Sequence, residues 1–482
     1  MTETNLFSHK RIRIIEQAEQ DLHQKTAKEQ YGNENSLIVE ALGRVPKIDY
    51  RSLASLFWSQ PSHEDIDLLT IAGVVAFSDR RVARTVRWSR HLELDIPVHN
   101  PDKWNKSSIK KPLIELLNYL TGDRWEFRFS QRQFDDARAR QAYLMEGKKL
   151  PQDAIVMPFS GGLDSFSAFA SLKESGAVIY LINTETVSTN KQLVRTLIKN
   201  AQNEEHSAWV PLHIGTRSHA ESTYRTRTFL FMVVAALACK LAGGRRLLIP
   251  ESGQGSLGPC LTRTGSEYPY RGTYPKFVSL LHRWLMVIWP DSSIKIEQPY
   301  LWKTKSQLLM ALTGTKYADM WLQTTSCPRN LRWSKKSKFE NIRTIPPQCG
   351  VCSNCIQRRV ALFNAGLNHN KGKEIYVWDD LACESFEQAH GEQVLRDGVT
   401  SNDRSLARWG IFSHAHLAEL YHCSADDAGY RLVKFDLCES EGLAMDEVEC
   451  KLNKFLKQHH DEWMTFLRSL PENSWVRQVA RG

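Results

Sequence analysis

The chain has 482 residues, of which 42% are hydrophobic and 24% are charged. This composition is typical of a soluble globular protein of about two to four domains. Ten cysteines are too few in so long a chain for a disulfide scaffold. The net charge of +9 is small for this length, so a nucleic-acid partner is possible but not required.

Neither a targeting segment nor a membrane span is expected. The N-terminal residues lack the apolar core of a signal peptide. The longest apolar run covers residues 229–239 and is interrupted by Lys240, well short of the ~20 residues that a membrane span needs. We therefore expect a cytoplasmic protein that makes no contact with a membrane.

Residues 1–150 are predicted to form an accessory α+β domain. Residues 1–40 are polar and mainly helical in pattern, although residues 11–17 fit a first strand equally well. Between residues 64 and 145, apolar residues at helical spacing alternate with period-2 strands. The glycine, the proline and the charges of residues 147–153 indicate a domain boundary.

One helical segment of this domain carries a cluster of charges. Asp79, Arg80, Arg81 and Arg84 lie close in sequence to Trp88. Cations next to an aromatic residue could form a surface for a partner protein or a nucleic acid. The alternative is a solvated helix face, which is the interpretation that the pattern favours.

Residues 151–370 alternate strand-like and helical segments. Such alternation predicts βαβ units, and therefore an α/β domain with a parallel sheet and helices on both faces. Residues 371–482 change to polar helical patterns and are predicted to form a C-terminal helical region. The apolar runs that predict buried strands cover residues 154–160, 177–186, 208–215 and 245–252.

The first of these strands is followed by two glycines and then a helix. In such a turn the backbone N–H groups and the helix N-terminus converge on one point, which suits a phosphate. Gly161 and Gly162 allow positive φ angles and a close approach of the ligand, and the hydroxyls of Ser160 and Ser165 can donate hydrogen bonds. Asp164 would repel a phosphate unless a cation lies between them, so its predicted role is to hold Mg²⁺ on pyrophosphate oxygens. The alternative is a tight turn in which Asp164 only caps the helix.

Four of the ten cysteines lie close together in sequence. Cys349, Cys352 and Cys355 form two consecutive C-x-x-C steps, and Cys327 precedes them. Four thiolates are the number of soft ligands that a closed, tetrahedral structural zinc site requires. Gly350 suits a tight turn between the first two ligands of the knuckle. The alternatives are an iron–sulfur cluster, a reactive thiol site and four unrelated reduced cysteines.

The segment Ser-Gly-Gly-x-Asp-Ser at residues 160–165 resembles the PP-loop signature of the N-type ATP pyrophosphatases. It differs from the Walker A pattern and from Gly-x-Gly-x-x-Gly. The resemblance implies cleavage of ATP between its α and β phosphates, with transfer of AMP to an oxygen of the substrate. The ATP-binding residues that it implies are Ser160, Gly161, Gly162, Leu163, Asp164 and Ser165.

Residues 154–368 also resemble the 7-cyano-7-deazaguanine synthase (QueC) family. Besides the PP-loop and the cysteines, the similarity is carried by "RTFLFMVVAALA" from Arg227, by "SEYPYRGTYPKF" from Ser266 and by "PYLWKTKSQLL" around Lys305. The resemblance implies an adenine nucleotide alpha hydrolase-like fold of the PP-loop/HUP type, with one bound Zn²⁺. It also implies catalytic roles for Asp164, Lys305 and Arg227, with Lys305 as a phosphate or AMP contact.

The activity that this resemblance implies is that of an ATP-dependent ligase. ATP and Mg²⁺ would activate the carboxylate of 7-carboxy-7-deazaguanine by adenylation. Ammonia would then give the amide, and a second activation would dehydrate the amide to the nitrile. Activation is needed because a carboxylate is a poor electrophile until one of its oxygens carries AMP as a leaving group.

Several departures from the family pattern concern the substrate or the acceptor. Thr228 stands where the family has Asn, and Glu267 and Tyr270 replace a Gly and an Asp. The chain also adds residues 1–150 before the PP-loop domain and residues 371–482 after it. This longer architecture resembles the QueC-like proteins of bacterial anti-phage defence, notably of the Qat system. That resemblance implies partner proteins from a defence operon, one of which could accept the acyl group on an amine.

Two other functions fit parts of the sequence. A PP-loop enzyme that modifies tRNA, for example by thiolation, would suit the basic charge and would require a reactive cysteine. A non-catalytic scaffold that senses nucleotides would have less need of a magnesium ligand such as Asp164.

Overall fold

The structure is a computed structural model of the chain. The residues that it describes are 8–15, 37–41, 46–84, 89–133, 150–185, 188–214, 221, 223–262, 268–328, 347–367, 376–390, 399–423 and 426–481.

The N-terminal part of the chain contains a four-stranded sheet with the strand order β2-β1-β4-β5. All of its strand pairs are parallel, which differs from the antiparallel sheet that an α+β domain implies. The first strand covers residues 8–15 of the segment with a mainly helical pattern, so the strand alternative is the better one for residues 11–15. Residues 16 and 17 of the predicted strand lie outside the described residues. The elements are β1 (Ser8–Ile15), β2 (Leu37–Ala41), β3 (Lys47–Ile48), α1 (Arg51–Phe57), α2 (His63–Arg81), β4 (Arg90–Val98), α3 (Pro101–Trp104), α4 (Ser107–Thr121) and β5 (Arg124–Gln131).

The middle of the chain forms a six-stranded sheet with the order β10-β9-β6-β7-β8-β3. Its strands pair in parallel except for the short β3, which pairs antiparallel to β8. The predicted α/β class with a mostly parallel sheet is therefore confirmed. The elements are β6 (Ile155–Pro158), α5 (Leu163–Glu174), β7 (Ile179–Glu185), α6 (Ser188–Asn200), β8 (Ser207–His213), α7 (Arg227–Leu241), β9 (Arg246–Leu248), α8 (Gly253–Ser256), α9 (Gly258–Leu261), α10 (Pro275–Ile288), β10 (Lys295–Glu297), α11 (Lys305–Thr313) and α12 (Ser353–Asn364).

The strand order of this sheet reverses between β6 and β9. The chain runs outward from β6 through β7 to β8, and then returns to place β9 on the opposite side of β6. Ligands of open parallel sheets bind at such a switch point, in the crevice beyond the carboxyl ends of the two strands. A ligand site is therefore expected at the segments that follow β6 and β9.

A single hydrophobic core joins the N-terminal sheet to the central sheet. Leu92 and Trp125 of the first sheet belong to the same buried cluster as Val156 of β6, Val233 of α7 and Trp284 of α10. The indole of Trp284 also donates a hydrogen bond to the carbonyl oxygen of Ile109 in α4, at 3.2 Å. The regions before and after the predicted boundary near residue 150 therefore pack against each other through apolar side chains.

The C-terminal region is helical in the part that the structure describes. One group of its apolar side chains, including Ile411 and Trp463, packs around the cysteines. Another, including Leu452 and Phe455, packs on Leu257. No described helix has the length and the apolar character needed to cross a membrane. The helices are α13 (Ser401–Cys423), α14 (Ala428–Glu441), α15 (Met445–Arg468) and α16 (Trp475–Ala480).

In the charge cluster near the end of α2, Arg80 and Arg81 are half-buried, whereas the side chains of Asp79 and Arg84 are buried. The predicted solvated helix face is therefore wrong for Asp79 and Arg84. The fully buried guanidinium of Arg90 donates to Asp79 at 2.7 Å and to Asp123 at 2.6 Å. Arg84 donates to the same two carboxylates at 2.8 and 2.6 Å. The second oxygen of Asp79 accepts hydrogen bonds from the backbone and hydroxyl of Thr226, directly before α7. Trp88, the aromatic residue of the predicted partner surface, lies outside the described residues.

Opposite charges in this cluster compensate one another in a site without water. Burial opposes ionisation of Asp79, but the charges of Arg90 and Arg84 outweigh it and hold the pKa of that carboxyl below its ordinary value. The arrangement connects α2, β4 and the beginning of α7, and so it fixes the N-terminal sheet against the central one.

We expect Arg90→Met to destabilise the protein by about 3–5 kcal/mol, because it leaves two buried carboxylates without their main counter-charge. Arg124→Met is the matched control, since the Arg124 side chain is 69% exposed and pairs with Glu126 at the surface. Urea unfolding followed by tryptophan fluorescence measures both free energies. Equal stabilities of the two variants would contradict the prediction.

Candidate functional site

The glycine turn, residues 159–162, connects β6 to α5 at the carboxyl end of β6. Gly161 has a φ of +70°, and a Cβ atom there would lie 2.6 Å from a methyl carbon of Val194. Both the backbone angle and the close packing therefore require glycine. Gly162 is the N-cap of α5, and Leu163 is its first, buried residue.

The two serines of the PP-loop stabilise the shape of this turn. The Ser160 hydroxyl accepts a hydrogen bond from the backbone N–H of Gly162 at 3.2 Å and lies 3.2 Å from the Ser165 hydroxyl. Ser165 donates to the carbonyl oxygen of Gly162 at 3.0 Å. Ser160 is exposed, whereas Ser165 is buried. The exposed hydroxyl is thus the one that an incoming anion can reach.

Asp164 is buried and directs both carboxylate oxygens to other segments. One oxygen forms an ion pair with the ammonium of Lys305. The other accepts hydrogen bonds from the hydroxyl of Ser252 at 2.9 Å and from its backbone N–H at 3.3 Å. Burial alone would raise the pKa of Asp164. The Lys305 charge and the hydrogen bonds outweigh that effect and hold the pKa below its ordinary value, so the carboxyl stays ionised. The Asp164 carboxylate forms no cap of its own helix.

Lys305 lies at the N-terminus of α11 and is buried beside the turn. Thr304 caps this helix in a capping box with Gln307. The backbone N–H of Lys305 donates to the side-chain oxygen of Gln254 at 2.8 Å. The backbone of Lys305 is thus held in place by these hydrogen bonds, and its ammonium contacts the Asp164 carboxylate.

Glu251 is a site residue that the sequence reasoning missed. It follows β9, on the other side of the switch point from the glycine turn, and its carboxyl is hydrogen-bonded to Asp164. A Cβ atom on Gly255 would lie 2.0 Å from a carboxyl oxygen of Glu251, so that glycine leaves space for the acid. Burial and the neighbouring Asp164 charge raise the pKa of Glu251 to about 8. Its position directly after an apolar strand was the available signal.

Arg227 lies on the rim of the site. It is the first residue of α7, its side chain is exposed, and its guanidinium carbon lies 5.9 Å from the centre of the Phe231 ring. Its charge lowers the pKa of Glu251, in opposition to burial. The structure thus brings Asp164 and Lys305 into contact and leaves Arg227 at the entrance.

Two positions that depart from the family pattern also meet. The hydroxyls of Thr228 and Tyr270 are hydrogen-bonded to each other, and a Cβ atom on Gly272 would lie 2.5 Å from each of these oxygens. Tyr270 is 39% exposed. Glu267, the third departure, lies outside the described residues.

The four cysteines Cys327, Cys349, Cys352 and Cys355, which we call the cysteine cluster, are buried with all four Sγ atoms within 4.8 Å of one another. Tetrahedral zinc with Zn–S bonds of about 2.3 Å needs sulfur atoms about 3.8 Å apart, so the cluster could hold such an ion. Hydrogen bonds from the other three thiols lower the pKa of Cys349 well below its ordinary value. Gly350 has a φ of +86°, as a tight turn requires.

The cysteine cluster is directly connected to the glycine turn. The backbone N–H of Thr325, two residues before Cys327, donates to the carbonyl oxygen of Gly161 at 3.2 Å. The buried guanidinium of Arg358, on the same helix α12 as Cys355, donates to the hydroxyl of Thr324 at 2.9 Å. A metal ion in the cluster would therefore stabilise one wall of the turn.

Comparisons with known proteins add no family assignment. No protein-family model matches the chain, and a search of the curated proteins finds no significant match.

A pH effect follows from the position of Glu251. Because its pKa is about 8 in the folded protein and near 4.5 when unfolded, the folded state binds more protons between these values, and stability falls as the pH rises through that window. Glu251→Gln imitates the protonated acid, so we expect this variant to gain melting temperature over the wild type as the pH goes from 5 to 9 in magnesium-free buffer. Glu174→Gln, at an exposed carboxyl, should follow the wild type. A constant offset between Glu251→Gln and wild type at all pH values would refute the assignment.

We expect purified protein to contain one zinc ion per chain, measured by inductively coupled plasma mass spectrometry. Cys352→Ser should lose most of this zinc and several degrees of melting temperature, because one of four thiolate ligands is gone. Cys423→Ser removes an exposed thiol outside the cluster and should change neither quantity. Iron with a visible absorption band in place of zinc would point to an iron–sulfur cluster.

Proposed function

We propose that the protein is an ATP pyrophosphatase of the PP-loop type, with an adenine nucleotide alpha hydrolase-like fold, that activates a carboxylate by adenylation. The observation that carries the proposal is the placement of the glycine turn, Asp164 and Lys305 together at the switch point of a parallel sheet. The turn offers N–H groups and a helix N-terminus to phosphate oxygens. Lys305 supplies a positive charge at the same place.

The residues divide the work of binding and of charge stabilisation. Gly161, Gly162 and the exposed hydroxyl of Ser160 would receive the phosphates that leave as pyrophosphate. Lys305 would exchange its partner Asp164 for phosphate oxygens, and its charge would stabilise the negative charge that develops on the leaving group. Arg227 on the rim would attract the anionic substrate and hold it near the turn.

Asp164 and Glu251 form the donor set that a magnesium ion would use. Two carboxyl groups in hydrogen-bond contact, beside a phosphate-binding turn, fit the oxygen ligands that Mg²⁺ prefers. When bound, Mg²⁺ neutralises charge on the phosphate oxygens. Until then, Lys305 and the shared proton of the two acids keep the carboxylates from repelling each other.

We further propose a 7-deazapurine carboxylic acid as the substrate, on the resemblance of the chain to the QueC family. Ammonia, giving an amide and then a nitrile, and an amine of a partner protein are the two candidate acceptors. The resemblance to long QueC-like proteins of anti-phage defence favours the partner protein. Zn²⁺ in the cysteine cluster would have a structural role.

The cysteines bear on the tRNA-thiolation alternative. All four members of the cysteine cluster are buried and in mutual contact, whereas a thiol relay needs an accessible thiolate. The arrangement supports a structural metal site rather than a sulfur carrier.

The test is release of pyrophosphate from Mg-ATP in the presence of 7-carboxy-7-deazaguanine. We expect substrate-dependent release that falls at least about 100-fold in Lys305→Ala, which removes a positive charge at the phosphates, and in Asp164→Ala, which removes a carboxylate that would hold Mg²⁺ there. Asp153→Asn, at an exposed carboxyl near β6, is the matched control and should retain wild-type activity. If no pyrophosphate is released, whichever partner protein is added, the deazapurine assignment is refuted.

The acceptor is identified by a second measurement. Intact-mass spectrometry of co-expressed neighbouring proteins would detect a covalently attached deazapurine acyl group. Unchanged partner masses together with free nitrile product would assign nitrile synthesis instead.

A further inference from the structure

One face of the C-terminal helix α15 lies against the segments that hold Lys305. Phe455, His459 and Glu462 are spaced four and three residues apart, so they lie on one side of the helix. All three are buried. Two of them are polar, and burial of a polar side chain requires specific partners.

Glu462 holds the two residues that flank Lys305. Its carboxylate accepts hydrogen bonds from the hydroxyl of Thr304 at 2.6 Å and from that of Ser306 at 2.7 Å. A third hydrogen bond comes from the amide of Gln458 at 2.8 Å. Because Glu462 is only 3% exposed, water competes little for these hydrogen bonds.

His459 is connected to the backbone of Lys305 through the side chain of Gln254. Its Nε2 lies 3.1 Å from the carbonyl oxygen of His414, which can only accept, so Nε2 carries the proton. Its Nδ1 is then the acceptor for the side-chain amide of Gln254, at 3.3 Å. The oxygen of that same amide accepts from the N–H of Lys305 at 2.8 Å. Burial lowers the pKa of His459 to about 3 and so keeps the imidazole in this neutral form.

Phe455 fixes the distance between α15 and the segment before Gln254. A Cβ atom on Gly253 would lie 2.5 Å from a ring carbon of Phe455 and 2.5 Å from the carbonyl oxygen of Leu301. The backbone N–H of Gly253 donates a hydrogen bond to the carbonyl oxygen of Lys303 at 2.8 Å. The ring thus packs directly on backbone, with no space for adjustment.

We propose that α15 positions Lys305, with Glu462 and His459 as the positioning residues. Glu462 sets the first turn of α11 from one side, and His459 sets the Lys305 backbone through Gln254 from the other. The ammonium is thereby held at the Asp164 carboxylate, where it would receive phosphate. The inference rests on the proposed function in one respect, namely that Lys305 contacts the phosphates of Mg-ATP.

The test measures the dissociation constant of Mg-ATP by isothermal titration calorimetry. Glu462→Ala and His459→Phe should each weaken binding about tenfold, the effect of about 1.4 kcal/mol of lost positioning. Glu462→Gln should stay within about twofold of the wild type, because an amide can accept from one hydroxyl and donate to the other. Asp461→Asn is the matched control: it removes the same charge at the neighbouring, 52% exposed position and should change nothing.

A double variant separates positioning from general stability. If Glu462 acts through Lys305, then Glu462→Ala should have less than about a twofold further effect in a Lys305→Ala background. The same tenfold loss in both backgrounds would overturn the proposal. So would unchanged Mg-ATP binding by Glu462→Ala alone.

Hydrogen exchange distinguishes this proposal from the proposed function. If the wild type binds no Mg-ATP, the proposed function fails, and the positioning is decided by the amide protection of residues 304–309. Loss of protection in Glu462→Ala and His459→Phe, but not in Asp461→Asn, supports the positioning of Lys305 by α15. Equal protection in all variants overturns it.

Discussion

The contact between Asp164 and Lys305 is the interaction on which the site depends. It joins two residues 141 positions apart, one after the central strand β6 and the other at the start of α11. A buried carboxylate and a buried ammonium are each costly without the other. Every neighbouring segment has a part in making that pair possible: Ser252 binds the carboxylate, Gln254 binds the lysine backbone, and α15 closes the space behind them.

The parts of the fold that the sequence predicts are those with local signals. The glycine turn, the strands and helices around it, and the cysteine spacing are each contained in a short stretch, and the structure has an α/β arrangement with the four cysteines together. Gln254, His459 and Glu462 have no such signal. Their roles come from partners 51 to 205 residues away, for which nothing in the neighbouring sequence provides a cue.

The charged segment at the end of α2 shows why composition is a weak guide to burial. Arginine and aspartate side chains are usually solvated, and that expectation is reasonable for any one of them. Here Asp79 and Asp123 receive two guanidinium groups, so four charges become compatible with a dry interior. Only the folded chain places Asp123 next to arginines that precede it by 33 and 39 positions.

The long reach of these contacts has a consequence for how the protein is made. Residues 160–165 leave the ribosome well before Glu462, one of the side chains that hold Lys305 beside them. Contacts over such separations form late, after the intervening loops have closed. A nascent chain that ends before Glu462 therefore contains the glycine turn but lacks the contacts that hold Lys305 beside it. The site is therefore assembled only once α15 has been synthesised and has packed behind Lys305.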